Sequence, residues 1–211
     1  MNSIEELFKT VIQKFYAHTA DHVFTVAISG IDASGKGFIT KLLEDELKKQ
    51  GFKIANINVD PWQNPIPVRL QRENAAENFY YHAFRWYDFF TRLIIPLQNN
   101  RCIYPETMLI RTWADEYYPF TYHYREIDIL LVEGIFLFKK EFLDFYDWKI
   151  WIDCSFENSL PRAIARNSER LDKARLIHDY HTYYYPAQQY HFEIDDPGAA
   201  AAFIFDNNNY S

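Results

Sequence analysis

Hydrophobic positions fall into two patterns along this chain. Short continuous apolar runs, rich in β-branched residues, predict buried strands at residues 23–28, 52–59, 127–133, 148–153 and 201–205. Between these runs, apolar residues recur every three or four positions, which predicts amphipathic helices. The alternation predicts an α/β fold in three layers, in which a mainly parallel sheet of about five strands carries helices on both faces.

Local signals place the predicted helices. Ser3 and Glu6 resemble a capping box, so a first helix is expected within residues 1–20. Gly51 suits the position just beyond the end of a helix that begins at Lys36. Further helical segments are predicted at residues 73–97, 156–170 and 172–190.

One stretch lies outside the regular alternation. Residues 101–112 alternate enough to predict an extended, hairpin-like arm, and the aromatic residues at 117–124 predict a loop. A small excursion from the sheet is therefore expected over about residues 99–126. Because no repeat or long linker interrupts the chain, we expect one domain over residues 1–211.

Composition narrows the range of functions. The 211 residues carry a formal net charge of −7, which argues against a nucleic-acid or anionic-membrane surface as the main function. Cys102 and Cys154 lack the spacing of a metal site and fit free thiols in a reducing compartment. With no apolar run of membrane-spanning length and no signal-peptide pattern, we expect a cytoplasmic protein. A homo-oligomer is compatible with the sequence.

The most specific motif follows the first predicted strand. Gly30 to Lys36 reads G-I-D-A-S-G-K, the phosphate-binding loop GxxxxGK at full spacing between a strand and a helix. Glycine lets successive N–H groups face a phosphate, and the positive end of the following helix faces the same anion. The loop predicts a bound nucleoside triphosphate, ATP, in contact with Gly30, Asp32, Ala33, Ser34, Gly35, Lys36, Gly37 and Phe38.

Gly37 stands where this motif has Ser or Thr. A hydroxyl at that position would bind Mg²⁺ directly, so the chain lacks one usual metal ligand. Lys36 retains the ammonium that reaches the β- and γ-phosphates. Asp32 has the character of a solvent-facing loop residue rather than of a catalyst. The motif thus predicts nucleotide binding, and Gly37 leaves open whether turnover is normal.

Acidic residues follow two predicted strands at their carboxyl ends, where doubly wound sheets bind ligands. Glu133 lies between Leu-Leu-Val and Gly-Ile-Phe, and an acid in such apolar surroundings favours a position near water or a metal over an ordinary strand end. Asp60 fits a general base that takes a proton from a hydroxyl, and it fits a turn residue before Pro61 equally well.

Three arginines recur every four residues in the predicted helix 156–170, which places them on one face. As a lid over about residues 162–175, they could contact the nucleotide through Arg162, Arg166 and Arg170. Taken alone, such a stripe is more often a solvated helix face.

Segments spread over residues 23 to 208 follow one recognisable order. They read AISGIDASGK, VDPWQNP, ENFYYHAFRWYD, ILLVEGIFL, YYYPAQQY and FDNN. In these segments the chain resembles the bacterial uridine kinase-like proteins of the uridine kinase/phosphoribulokinase branch of P-loop kinases. The resemblance implies a P-loop NTPase fold that uses ATP and Mg²⁺.

The resemblance also assigns roles to individual positions. It implies that Lys36 binds phosphate, that Asp60 is the general base, and that Glu133 holds Mg²⁺ through water. Arg166 would be a lid arginine, with Arg170 as a second candidate. Gly37 departs from the family pattern, as does the absence of the glycine that often follows the lid arginine.

Aromatic residues are implied near the acceptor by the same resemblance. The expected substrate contacts are Trp62, Tyr81 and His123, together with Asp60. The simplest function is ATP-dependent phosphorylation of a small-molecule hydroxyl, most simply the 5′-hydroxyl of a nucleoside. Alternatives are the same chemistry on pantothenate, a ribosylpyridine or a sugar phosphate. A protein that binds nucleotide with little turnover, because of Gly37, is an alternative of another class.

Overall fold

A computed structural model describes residues 3–167 and 170–209. Its seven strands are β1 (Phe24–Gly30), β2 (Ile54–Asn58), β3 (Glu106–Arg111), β4 (Glu116–Thr121), β5 (Ile129–Glu133), β6 (Trp148–Asp153) and β7 (Phe203–Asp206). Five of them form a parallel sheet in the order β2–β5–β1–β6–β7. The remaining two, β3 and β4, form a separate antiparallel hairpin. The predicted α/β fold with a parallel sheet is confirmed.

Helices connect the strands and cover both faces of the sheet. They are α1 (Ile4–Ala17), α2 (Lys36–Lys49), α3 (Ile66–Arg69), α4 (Ala75–His82), α5 (Trp86–Phe89), α6 (Ile95–Asn100), α7 (Phe156–Arg166), α8 (Lys173–Asp179), α9 (Tyr185–Asp195) and α10 (Pro197–Ala200). Short 3₁₀ segments lie at Asp60–Trp62 and Lys140–Phe145, and π-helical turns at Phe90–Ile94 and Tyr180–Tyr184. Among the described residues, none of these helices has the length and apolar character needed to span a bilayer.

The parallel sheet has a hydrophobic core on each face, because successive strand residues point to opposite faces. Val26 and Ile28 of β1 pack with α1 and α2 on one face. Ala27 of β1 and Leu130 of β5 face the other core, which includes aromatic residues of α4, α5 and both 3₁₀ segments. Both faces of β1 and β5 are therefore buried, as their continuous apolar runs predict.

The single helix predicted at residues 73–97 is wrong. The chain leaves the helix between α4 and α5, where Asn64 N–H donates to Ala83 O at 2.8 Å and Arg85 N–H donates to Trp62 O at 2.9 Å. These backbone bonds form a short bridge to the segment after Asp60. Since their partners lie about twenty residues away along the chain, the aromatic periodicity of this segment could not reveal the break.

The predicted excursion is a β-hairpin, and the loop predicted at residues 117–124 is wrong because β4 occupies most of it. Buried Arg69 holds the hairpin turn: its Nη1 lies 3.1 Å from Asp115 Oδ1, and its Nη2 donates to Thr112 O. Arg85 Nη2 donates to the carbonyl oxygen of Met108, on β3, at 2.5 Å. The hairpin is thereby fixed against the segment that follows β2.

The helix predicted to reach residue 170 ends at Arg166. Asn167 adopts left-handed angles (φ 37°) at its end, and its side chain bonds both N–H and C=O of Leu171. Arg170 (φ 55°) is therefore in a loop and not on the helix face with the other arginines. Its guanidinium lies 4.1 Å from the ring centroid of Trp113 in the hairpin turn.

Candidate active site

The phosphate-binding loop joins β1 to α2. Gly35 has φ 91°, and a Cβ there would fall 2.2 Å from Asn207 Nδ2, so only glycine fits this position. Asn207 follows β7 and donates to Ser34 O at 2.6 Å. An amide from the far end of the chain therefore braces the loop in the shape that the motif requires.

Lys36 begins α2 and is 5% exposed. Its Nζ lies 3.4 Å from Ile31 O, a loop carbonyl, and 3.9 Å from Glu133 Oε1, at the end of the adjacent strand β5. The two contacts hold the ammonium at the carboxyl edge of the sheet. A triphosphate in the loop would meet this buried positive charge.

Glu133 is buried beside the position of Gly37. A Cβ on Gly37 would have its nearest neighbours in the Glu133 carboxyl group, at 3.9 to 4.0 Å, so a larger side chain fits there. Burial raises the pKa of Glu133 to about 7, against the opposing effect of Lys36 and with the support of Asp60 and Asp32. A divalent cation would relieve this crowding of carboxylates, and oxygen donors of this kind fit Mg²⁺.

Asp60 begins the 3₁₀ turn directly after β2, and its N–H donates to Asn58 Oδ1 at 2.6 Å. Burial raises the pKa of Asp60, with Lys36 opposing the effect and Asp32 adding to it. A carboxylate with a raised pKa is a stronger base than one in water. Asp60 can therefore be both a turn residue and a general base, because the turn places its side chain at the cavity beside the phosphate loop.

Asp32 lies inside the phosphate loop, and its carboxylate is fully engaged. It accepts hydrogen bonds from the Ala33 N–H at 2.9 Å, from Arg166 Nη2 at 3.2 Å and from the Tyr180 hydroxyl. Burial pushes the pKa of Asp32 upward, but the charges of Arg166 and Lys36 and the Tyr180 hydroxyl lower it overall. The expectation of a solvent-facing side chain is wrong, because α7 and the π-helical turn cover the loop.

Arg162 and Arg166, both on α7, differ in their partners. Arg162 Nη2 donates to Asn207 O at 2.9 Å, beside the residue that braces the phosphate loop. Arg166 pairs with Asp32, and that charge raises the pKa of Arg166. Both arginines line the cavity next to the loop. Arg170 stacks on Trp113 instead, so it reaches the hairpin and not this cavity.

Two cavities meet at this edge of the sheet. One, of about 370 Å³, is lined by the phosphate loop, the start of α2, Glu133 and Arg162. The other, of about 90 Å³, lies under the hairpin turn. Asp60 and Arg166 line both cavities. The smaller cavity is further lined by Asp32, Gln63, Arg69, Phe79, Thr112, Ile135 and Tyr184.

The aromatic residues expected at the acceptor lie elsewhere. Trp62 is 0% exposed, and its Nε1 donates to the Tyr122 hydroxyl at 3.0 Å. It therefore packs against the segment that follows β4 and does not line the cavities. Tyr81 lines a separate shallow cavity on α4. His123 is exposed and packs against Tyr104. Of the four expected substrate contacts, Asp60 is the one that lines the cavity beside the phosphate loop.

Local sequence patterns did not single out several residues that contact the phosphate loop or line the cavities. Gln188 Oε1 accepts the Asp32 N–H at 2.7 Å, and both Gln188 and Asn207 lie in segments that carried the family resemblance, so that signal was available for them. Gln63 and Tyr184, which line the smaller cavity, also lie in such segments, whereas Arg69 carried no local signal. They reach the cavity only because the hairpin and the π-helical turn fold over the end of β2.

Comparison with known proteins supports the fold. No family model matches the sequence, and no curated protein matches it. A protein described as a possible uridine kinase from Bacillus stearothermophilus superimposes with a TM-score of 0.76 at 20% identity, covering 96% of this chain and 97% of that one.

Two further structures have similar folds. A Silicibacter sp. protein assigned as a kinase of a fructose transport system gives a TM-score of 0.75 at 15% identity, over 96% of this chain and 98% of that one. The D-glycerate 3-kinase of Cryptococcus neoformans gives 0.69 at 10% identity, over 97% and 95%. The chain therefore has the three-layer fold of P-loop kinases, which confirms the predicted resemblance at the level of the fold.

Proposed function

We propose that this protein transfers the γ-phosphoryl group of ATP to a hydroxyl of a small molecule. The observation that carries the proposal is the meeting of the two cavities at Asp60 and Arg166. A donor phosphate bound by the loop and an acceptor under the hairpin turn would face each other across these two side chains. In-line phosphoryl transfer requires this arrangement, since it depends mainly on positioning and charge.

Each charged residue has a role in this reaction. Asp60 accepts the proton of the acceptor hydroxyl as its oxygen attacks the γ-phosphorus. Lys36 and Arg166 stabilise the negative charge that develops on the transferred group, and Arg162 lies beside the same phosphates. Glu133 would hold Mg²⁺, which supplies neutralisation of phosphate charge when bound.

The cavity under the hairpin favours a compact acceptor. Its volume of about 90 Å³ is below the range of roughly 300–1,000 Å³ that is usual for larger ligands. Its lining combines two aromatic side chains, Phe79 and Tyr184, with several charged and amide groups. A small hydroxy acid suits this space without movement, whereas a hexose phosphate or a nucleoside, which are similar in size, requires α7 or the hairpin to move.

A nucleotide-binding protein with little turnover is a second candidate, which Gly37 favours. Without a hydroxyl at this position the metal has one direct ligand fewer. The two functions differ in a measurable way, because a pure binder takes up ATP but gives no acceptor-dependent ADP release.

The test is ADP release from ATP and Mg²⁺ across a panel of glycerate, sugar phosphates, pantothenate, ribosylpyridines and nucleosides. The Lys36→Met variant, which keeps the length of the side chain and removes its charge, is the inactive control. We expect one acceptor class to stimulate ADP release by at least about 10²-fold, with the stimulation lost in the variant. ATP binding with no stimulation by any acceptor supports the binder, and no ATP binding contradicts both candidates.

A further inference from the structure

Two histidines and one aspartate meet at the amino edge of the sheet, opposite to the phosphate loop. His18 follows the end of α1, His22 precedes β1, and Asp147 precedes β6. One ligand atom from each lies within 4.8 Å of the other two. The length of β1, about 20 Å, separates this group from the candidate active site.

The carboxylate of Asp147 is held in a defined orientation. Its Oδ2 accepts the Thr25 N–H of β1 at 2.8 Å. Its Oδ1 lies 3.0 Å from His22 Nε2 and 3.6 Å from His18 Nδ1. A backbone bond thus fixes one oxygen, and the other faces two imidazoles.

The tautomer of His18 follows from its other nitrogen. His18 Nε2 lies 3.1 Å from the carbonyl oxygen of His22, which can only accept, so Nε2 carries the proton. In a neutral ring, Nδ1 then has a lone pair that faces the Asp147 carboxylate. Two acceptors facing each other are unfavourable unless a second proton or a metal ion lies between them.

The arrangement has the features of a metal site. Histidine ligands usually donate their second ring N–H to a backbone carbonyl or carboxylate, as His18 does, and ligating carboxylates are themselves hydrogen-bonded, as Asp147 is. Bonds of about 2.0 Å in a tetrahedral site put neighbouring ligand atoms about 3.3 Å apart, between the 3.0 and 3.6 Å separations found here. Side-chain exposures of 13%, 35% and 19% leave an open side for a water as the fourth ligand.

We propose that His18, His22 and Asp147 form a site for a divalent transition metal of the Zn²⁺ type. Two imidazoles and one carboxylate suit such an ion and do not suit Mg²⁺, which prefers oxygen ligands. Binding uses the Nδ1 lone pair of His18 and the Nε2 lone pair of His22, whose ring proton then lies on Nδ1. The metal joins the loop before β1 to the loop before β6, and so stabilises the edge of the sheet opposite the nucleotide.

The experiment uses the tag-free 211-residue protein in excess Mg²⁺, which occupies oxygen-ligand sites. Co²⁺ is titrated first, because four-coordinate Co²⁺ with nitrogen ligands has strong visible absorption that octahedral Co²⁺ lacks. Zn²⁺ is then added to displace it while thermal unfolding is followed. We expect one Co²⁺ per chain, and a rise in Tm of roughly 5–10 °C when free Zn²⁺ reaches about 100 times its Kd.

The variant pair isolates the site. The double variant His18→Gln/His22→Gln should lose the visible bands and the Tm rise, whereas His82→Gln/His178→Gln, which changes two exposed histidines elsewhere, should keep both. Bands or a Tm rise that persist in the first variant, or that are absent from the wild type, overturn the proposal.

A second measurement needs no variant. In the wild type, NMR of the imidazole nitrogens should show Zn²⁺ bound through Nδ1 of one histidine and through Nε2 of another, as the geometry requires. Zn²⁺ shifts spread over all exposed histidines, or absent from these two, would contradict the site even if the double variant failed to fold.

Discussion

Arg166 of α7 forms an ion pair with Asp32 of the phosphate loop, with 3.2 Å between Arg166 Nη2 and Asp32 Oδ1. The same carboxylate accepts the N–H of Ala33, a loop amide, and the hydroxyl of Tyr180. The Asp32 carboxylate therefore engages a loop amide, a guanidinium and a hydroxyl at once. Asp32 thus provides an internal anion for Arg166, and we infer that a triphosphate bound in the loop would compete with it for this arginine.

The first prediction concerns Asp32→Asn. Removal of this negative charge should free Arg166 for the nucleotide and relieve repulsion of the phosphates. We expect ATP to bind up to about tenfold more tightly, which corresponds to ~1.4 kcal/mol, with little change in the fold. Calorimetric titration of ATP with Mg²⁺ measures the effect.

Asp144→Asn, on an exposed part of the chain, is the matched control and should bind ATP as the wild type does. If Asp32→Asn binds ATP more weakly than the wild type, Asp32 is needed to hold the loop or the metal. The competition argued from its ion pair would then be wrong.

The second prediction is that Asp60→Asn loses chemistry and keeps nucleotide binding. The substitution preserves the size of the side chain and the turn after β2, but it removes the proton acceptor at the boundary of the two cavities. We expect kcat with the best acceptor to fall by about 10²–10⁴-fold, and the Kd for ATP to change less than about threefold. Unchanged kcat in folded protein would exclude Asp60 as the base.

The third prediction uses the raised pKa of Glu133, about 7 in the folded protein against 4.5 for the free side chain. Between these two values the native state binds a proton that the unfolded chain releases. Stability of the metal-free protein therefore falls as pH rises from 4.5 to 7, and the whole cost of the buried charge is present above 7.

Glu133→Gln removes this cost, so the variant should be more stable than the wild type above pH 7, by on the order of 1–3 kcal/mol. This difference in the free energy of unfolding should shrink as pH falls, and it should vanish below the pKa of the free carboxyl group. Urea unfolding of both proteins over this range, without nucleotide or metal, measures it. Parallel stability curves with no pH-dependent gap would contradict the raised pKa.

Local sequence signals predicted the phosphate loop and the parallel strands well. A buried parallel strand is a continuous apolar run, and the loop after β1 needs glycine at Gly35 because its φ is 91°. Both constraints are visible within a few residues of sequence. The strands were accordingly placed within about two residues of their observed ends.

Contacts between distant segments account for what the sequence did not predict. Asp32 seemed a solvent-facing residue because its partner Tyr180 lies 148 positions away. Arg170 seemed to continue a helical stripe, but Asn167 ends α7 with left-handed angles. Trp62 seemed a substrate contact because of its motif, and packing under Tyr122 buries it. None of these relationships leaves a periodic or spacing signal.

The last prediction concerns Gly37. A Cβ at this position meets nothing closer than the Glu133 carboxyl at 3.9 Å, so Gly37→Ser should fold without strain. The helix should gain slightly, because serine is favourable near a helix N-terminus and glycine is a poor helix former.

The added hydroxyl would lie beside the Glu133 carboxylate, where the chain lacks one direct Mg²⁺ ligand. We expect Gly37→Ser to tighten Mg²⁺·ATP binding by about three- to tenfold and, since the metal is better held, to raise kcat with the best acceptor. Gly37→Ala, which adds the Cβ without the oxygen, should give neither gain and serves as the control. A gain in metal affinity with no acceptor-dependent turnover would favour the nucleotide binder over the kinase. Equal Mg²⁺ affinities for the wild type and both variants would mean that position 37 takes no part in metal binding.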